Sequence, residues 1–502
     1  MNGETTRQVR GSSLLLAGRM LSLGANFVIQ VLIVRYLSKS EYGAFAYAVS
    51  IATLAQYAVT LGLDRAVARF LPIYDEHGDH DRLVGTIVLV VTTIIGLGIA
   101  LVVGVIVLHG WISGTGVADP ASLGLLTILI LLAPIQSLDD VEIGLFAVFA
   151  EPRSIFVRRY VLTPALRVLV VALLIATGGD VTFLAGGYVI AAATGVLIYA
   201  VVLWRLLRRR GLIVPGRWRS MRMPARDVFR FALPLLSTDI LYAFLGTSDV
   251  ILLGHFRGPD SVASLRAIQP LAQLNQVVLS SFTLLYTPLA SRLFTRGDRQ
   301  GLRDLYWQTA IWMAVLSFPV FAATTSLAGP LSVGLFGVEY QDSAILLALL
   351  STGYYFQAAL GFNGLTIKVT GHVRAAVAID LLAAATNVAV NLLLIPPYGA
   401  LGAAIGTTTT LIVHNILKQI GLRMTTGVDL FDRDGLPVFA GIAATAGALW
   451  AVAVLVKPPL IVDLALIGVA SGIVLGLNRN RLQMAETFPE ILRLPIARRL
   501  LT

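Results

Sequence analysis

Fourteen long apolar stretches follow one another along the 502 residues, at about 12–37, 43–66, 83–109, 120–148, 155–177, 182–204, 230–254, 261–290, 304–327, 342–366, 373–395, 400–417, 437–456 and 461–478. A bilayer-spanning helix needs about 20 apolar residues, and in hydrocarbon every backbone N–H and C=O must be satisfied within the protein. The chain is therefore expected to be an all-α polytopic membrane protein with about 14 transmembrane helices. Composition agrees: 57% of residues are apolar and only 13% are charged, against about 25% charge in a soluble globule. Mean hydropathy is +0.81. The first stretch is too long for the core of a secretory signal and lacks a small-residue cleavage site, so it reads as a retained first helix, with the mature chain starting near Met1. The absence of cysteine excludes disulfides, thiolate metal sites and a cysteine nucleophile.

Charge distribution sets the expected orientation. With a cytoplasmic N-terminus, thirty of the 38 Lys and Arg residues fall in cytoplasmic segments, three (Lys39, Arg257, Lys457) fall outside, and five (Arg19, Arg35, Arg65, Arg167, Arg266) lie within predicted helices. That asymmetry satisfies the positive-inside rule. An even number of spans with both termini cytoplasmic, in the cell (plasma) membrane, is the reading it supports. The basic run RRRGLIVPGRWRSMRMPAR (208–226) reads as a topogenic loop against an anionic leaflet rather than a nucleic-acid patch. It divides the chain into an N-terminal six-helix lobe (1–207), a linker (208–229), a C-terminal six-helix lobe (230–424), and two further helices with a basic tail (425–502). A weak internal repeat at an offset of 220 supports duplicated halves: 36–48 aligns with 256–267, Arg19 with Asp239, and Gln56 with Gln276. Parallel repeats with a binding site between them are a transporter architecture.

Polar residues within the spans are the candidate site. Arg19, Ser22, Asn26 and Gln30 share one face of the first helix, and Arg266, Gln269, Gln273 and Gln276 one face of the eighth. The seventh offers Thr238, Tyr242 and Asp249 with Asp239 beside them, and the eleventh Asp380, Asn387 and Asn391. An arginine at the bilayer centre costs about 2.5–3.5 kcal/mol, so these stripes must line a shared polar cavity or pair with one another. Asp139 and Asp140 lie at the depth of Arg167, and Asp249 at that of Arg266, each a candidate ion pair, structural or functional. Arg65 and Arg69, near the cytoplasmic face, read as snorkelling side chains. Arginine offers a fixed fork of donors for phosphate or diphosphate. Asp239 and Asp380, without evident counter-charges, suit a cation or proton site instead. The run DEHGDHDR (75–82) reads as a solvated turn rather than a metal site, and there is no Walker loop, HExxH or GxSxG motif. No cofactor and no metal are expected.

SKSEYGAFAYA (38–48), LGLDRAVARFLPIY (61–74), FALPLLSTDILYAFLGTSDVILLGHF (231–256) and GHVRAAVAIDLLAAATNVAVNLLLIPPYGALGAAIGT (371–407) resemble, in order, the polysaccharide-biosynthesis flippases. These belong to the MOP superfamily, with the multidrug and toxin extruders and the lipid II flippase. The resemblance implies two lobes around a central cationic cavity, and movement of polyprenyl-diphosphate-linked oligosaccharide from the cytoplasmic to the outer leaflet. It places Asp64 and Arg65 in the family's LGLDR element, Asp249 in its SD element, and Asn387 and Asn391 in its eleventh-helix pattern. The chain departs from the family at Ala263 and Leu265, where Gly and Tyr are usual, and the cluster of Asp139, Asp140 and Glu142 has no counterpart.

The expected function is therefore a lipid-linked oligosaccharide flippase, not an enzyme, in which Arg19, Arg167 and Arg266 hold the diphosphate-sugar headgroup while the tail stays in lipid between the lobes. Its expected partners are that lipid, the bilayer, and glycosyltransferases or a polymerase of the same pathway. An ion-coupled drug antiporter of the same fold is the alternative, disfavoured by the helix-internal arginines. A membrane glycosyltransferase, polymerase or ligase would want a large outer loop, and none exceeds about 14 residues.

Overall fold

The computed structural model describes residues 3–114, 120–213, 221–432 and 435–482, with the side chains of 3–17, 109–114, 120, 121, 237, 238, 242, 284 and 285 outside that description. The basic segment 214–220 and the tail beyond 482 lie outside it as well. The described residues are helical, without strands. Twelve of their helices are long and apolar enough to cross a membrane, or fourteen when two bent pairs, 225–257 and 259–295, each count as one span. The observed spans match the apolar stretches to within a few residues at most ends. The largest extension is the second span, which continues to Glu76.

The first compact unit, Met1–Ala263, contains α1 (Gly3–Tyr36), α2 (Lys39–Thr60), α3 (Leu63–Glu76), α4 (His80–Gly114), α5 (Pro120–Leu129), α6 (Leu132–Val148), α7 (Pro152–Phe156), α8 (Thr163–Thr177), α9 (Val181–Arg209) and α10 (Ala225–Arg257). By packing, the unit ends after α10, which runs along α2; the grouping of spans by sequence counts this helix with the second lobe. Ser38 starts α2 with a reciprocal cap, its hydroxyl accepting from the Glu41 N–H while the Glu41 carboxylate accepts from the Ser38 N–H at 2.9 Å. Ser38→Ala is expected to lower stability by about 1 kcal/mol, read as a fall in thermal midpoint, whereas Ser38→Asp should leave it unchanged. The span formed by α2 and α3 breaks at Leu61 and Gly62, both with positive φ (52° and 68°), and a Cβ on Gly62 would sit 2.9 Å from the Ala232 carbonyl of α10. Between α7 and α8, Val157–Leu162 forms a π-helical turn. Pro164 follows it and has no N–H to continue the α-helical ladder, which favours the wider turn. The core packs Leu63, Val67 and Leu71 of α3 against Leu145 and Phe146 of α6.

The second unit, Ser264–Thr502, takes in most of α11 (Pro259–Gln273), then a 3₁₀ turn (Leu274–Gln276), α12 (Val277–Thr295), α13 (Arg299–Ser326), α14 (Ala328–Phe336), α15 (Ser343–Ala359), α16 (Asn363–Val369), α17 (Val373–Tyr398), α18 (Ala400–Thr426), α19 (Leu436–Leu455), α20 (Leu460–Leu477) and α21 (Arg479–Leu482). Its core is aromatic, with Phe321 stacked on Tyr355 at 4.2 Å. The buried Tyr306 hydroxyl donates to the Leu360 carbonyl at 2.7 Å and lies 2.6 Å from Gln419 Oε1. Large apolar residues exposed along α4, α19 and α20, such as Ile99 and Ile461, face outward, as the hydrocarbon of a bilayer requires.

Candidate functional site

The first unit carries an open polar cavity of about 650 Å³ between α1, α2, α6 and the segment 159–167. Its walls bring together Arg19, Ser22 and Asn26 of α1, Gln56 of α2, Gln136, Asp139 and Asp140 of α6, Arg159 and Tyr160 of the π turn, and Thr163 and Arg167 of α8. The spacing that puts Arg19, Ser22 and Asn26 on one face of α1 carries them all to this wall. Gln30, one turn further, instead donates to the Tyr42 hydroxyl at 3.1 Å.

Two carboxylates here are already occupied. Asp140 accepts from Gln56 Nε2 at 2.8 Å. Asp139 pairs with Arg158 at 2.5 Å. The expected pairing of Asp139 or Asp140 with Arg167 is therefore corrected: the π turn rotates Arg158 inward at the same depth, and Arg158 is 3% exposed. Arg158 also donates to Thr163 Oγ1, lies 5.7 Å from the Tyr199 ring centroid, and occupies space left by Gly195, where a Cβ would come within 2.8 Å of the guanidinium. Arg167 donates to Asn26 Oδ1 at 3.4 Å and sits over Tyr188 at 5.6 Å. Neither Arg19, Arg159 nor Arg167 has a carboxylate partner among the described residues. Three guanidiniums line the cavity against two carboxylates, one of which, Asp139, is already paired with Arg158, so the wall is net positive, a setting for an anion.

Two acids read as uncompensated prove to be paired. Asp239 makes an ion pair with Arg65, which therefore does not simply snorkel, and Arg69 lies over the Phe231 ring at 4.4 Å. Asp380, 2% exposed, accepts from or faces His414 Nε2 at 2.8 Å, with Lys368 Nζ at 3.7 Å and Lys418 Nζ at 4.0 Å. The charge distribution along the sequence places those lysines in cytoplasmic segments. Asp64 keeps Oδ1 buried without a hydrogen bond, and Asp249 Oδ1 accepts from the Val250 N–H at 2.8 Å. The side chains of Thr238 and Tyr242 lie outside the described residues.

In the second unit the α11 stripe meets α15. Arg266 donates to Gln269 at 2.8 Å, Gln269 and Gln273 both donate to the Tyr354 hydroxyl (3.4 and 3.2 Å), and Gln276 bonds Gln357. Asn387 donates to Thr410 at 3.3 Å and Asn391 to Asn387 at 3.1 Å, joining α17 to α18. Arg158, Arg159 and Tyr354 are thus in contact with the candidate site residues or line their cavity, and the sequence reading did not single them out. The two arginines were assigned to a cytoplasmic flank, and Pro164 just downstream was the available hint of a distorted turn.

A multi-pass helical bundle with a cationic cavity among its apolar helices is an architecture that membrane transporters share. The chain belongs to the polysaccharide biosynthesis protein family, whose sequence profile matches residues 8–294; the MatE profile matches 234–393. The structure of the lipid II flippase MurJ in an inward closed conformation superposes with a TM-score of 0.69 at 13% identity, over 94% of this chain and 99% of that one. The chain thus shares the fold of that flippase. It is 21% identical to an uncharacterized membrane protein, MJ1068, of Methanocaldococcus jannaschii, over 80% of this chain and 81% of that protein. It is 18% identical to a probable low-salt glycan biosynthesis flippase, Agl15, of Haloferax volcanii, over 47% of this chain and 52% of that protein.

Proposed function

We propose that the protein is a flippase, not an enzyme, that moves a polyprenyl-(di)phosphate-linked oligosaccharide from the cytoplasmic to the outer leaflet for surface polysaccharide or glycoprotein synthesis. The observation that carries this reading is the set of three cavity arginines, Arg19, Arg159 and Arg167, none with a carboxylate partner among the described residues. Guanidinium forks suit the diphosphate, while Asn26, Gln56, Gln136 and Tyr160 offer hydrogen bonds to sugar hydroxyls. Arg266, Gln269, Gln273, Gln276, Asn387 and Asn391 are proposed to serve the same substrate from the second lobe. Two six-helix lobes (1–207 and 230–424), joined by the basic linker and followed by two extra helices, would rock to alternate access, with both termini in the cytoplasm and the protein in the plasma membrane. Inside-negative potential favours outward passage of an anionic headgroup by about 2.3 kcal/mol per charge per 100 mV. Glycosyltransferases or a polymerase of the same pathway would supply or consume the lipid. The polysaccharide biosynthesis profile, which matches residues 8–294, supports this over drug export; the fold itself is common to a multidrug MATE transporter and to MurJ.

In cells depleted of the protein, full-length lipid-linked glycan is expected to collect on the inner leaflet, inaccessible to lectin in spheroplasts. Unchanged glycan with new sensitivity to cationic dyes would replace this reading with drug antiport. Truncated glycan would replace it with an enzyme.

A further inference from the structure

Helix α6 has two unlike faces. Asp139 and Asp140 look into the polar cavity, whereas Leu138, Val141, Glu142 and Leu145 line a second cavity of about 330 Å³ between α4, α6 and α9. Among the described residues Glu142 is the one ionisable residue on that wall, and the rest is almost wholly hydrocarbon. The rim carries Leu197 and Trp204, 67% and 50% exposed on a membrane-spanning helix, so the groove opens towards bilayer lipid. From Val84 to Val91 it follows α4 for about 10 Å, at about 1.5 Å per residue.

A small cleft of about 50 Å³ adjoins both cavities. It shares Asp139, Thr163 and Arg167 with the polar one and Val196 with the apolar one, and Arg158 forms part of its wall. Arg158 Nε and Glu142 Oε2 have no hydrogen-bond partner, although their residues are 3% and 6% exposed. Unsatisfied polar atoms are costly in apolar surroundings. A plain hydrocarbon chain would leave them so, but an amphiphile passing from one cavity to the other carries oxygens to which the Arg158 Nε–H can donate, and a hydroxyl or protonated phosphate can donate to Glu142.

We propose that the groove between α4, α6 and α9 holds the head-proximal hydrocarbon chain of the same lipid whose phosphate occupies the arginine cavity, the chain leaving its headgroup through the cleft beside Arg158. The proposal rests on the headgroup reading above. It gives the tail a seat on the first unit, in place of free lipid between the lobes. Chain and headgroup are then read by opposite faces of one helix, and an ordinary phospholipid, with a single phosphodiester charge, has the weaker hold on the polar side.

The test uses full-length protein in nanodiscs and a polyprenyl diphosphate with a diazirine near the head of the chain. Photolabelling is expected on α4, α6 and α9 residues of the groove. It should fall about tenfold or more in Ala200→Trp, whose indole takes the place of several chain carbons. Labelling elsewhere on the wild-type protein would overturn the proposal, with no dependence on how the variant folds. So would equal labelling by phosphatidylglycerol carrying the same diazirine. Binding of inorganic pyrophosphate to wild-type protein separates the two readings. Pyrophosphate bound with the label outside the groove sinks the tail site alone. Label in the groove without pyrophosphate binding sinks the headgroup reading.

Discussion

Arg158→Met is expected to destabilise the protein by about 1.5–3 kcal/mol, the contribution of a charge-assisted hydrogen bond; Asp139 keeps a quarter of its side chain exposed to the polar cavity, which relieves part of the cost of breaking a fully buried pair. The loss of the counter-charge strands Asp139 between α6 and α8, where the remaining neighbours offer no second cation in contact: Arg167 is engaged with Asn26 and Tyr188. The double variant Arg158→Met, Asp139→Leu should recover most of that loss, because replacing both charges with apolar groups of similar volume is often neutral or stabilising. Thermal unfolding of the purified protein, followed by fluorescence in detergent, reads both. If the single variant melts with the wild type, the pair contributes nothing to the folded state. If the double variant is no better than the single one, the loss lies in packing around Gly195 and Tyr199 rather than in charge. The double variant also asks what the pair is for. A stable protein that no longer transports would place Arg158 and Asp139 in the substrate path, since stability alone has been restored.

Pairings of this kind are what sequence could not supply. Span number and limits follow from one-dimensional hydropathy, because a bilayer imposes nearly the same length of apolar chain on every helix; α17, with Val373–Tyr398 against an expected 373–395, shows how closely. Faces of single helices were legible too, since Arg19, Ser22 and Asn26 need only the helical period to align. The partners of buried charges depend on helix rotation and on which helices touch. Arg65 reaches Asp239 across 174 residues, and Asp380 finds His414 and two lysines that hydropathy assigned to a cytoplasmic flank. A π turn adds one residue to a helical turn, so no regular period would have brought Arg158 inward. The apolar groove was invisible for the opposite reason: its walls are the same Val, Ile and Leu residues that make every span.

Arg19, Arg159 and Arg167 exchanged together for glutamine are expected to abolish transport and to weaken binding of polyprenyl diphosphate at least about a hundredfold, since each charge-assisted hydrogen bond contributes about 1.5–3 kcal/mol and not all three sum independently. Glutamine keeps a polar side chain of moderate length, so the polar cavity stays wet and the fold is spared; no buried ion pair is broken, because these three arginines hold no carboxylate among the described residues. Lysine at the same positions restores charge without the planar fork and should recover binding in part, more for a monophosphate than for a diphosphate. Binding to wild-type protein should weaken as salt rises, while the glutamine variant shows little salt response, because screening acts on charge that is no longer there. The measurement is affinity for polyprenyl diphosphate in nanodiscs at two ionic strengths, alongside melting temperature. Wild-type affinity in the triple variant would remove the arginines from the site and, with them, the case for an anionic headgroup. Loss of binding with an unchanged melting temperature would separate recognition from structure, which the Arg158 pair, buried and bonded on every side but one, cannot do alone.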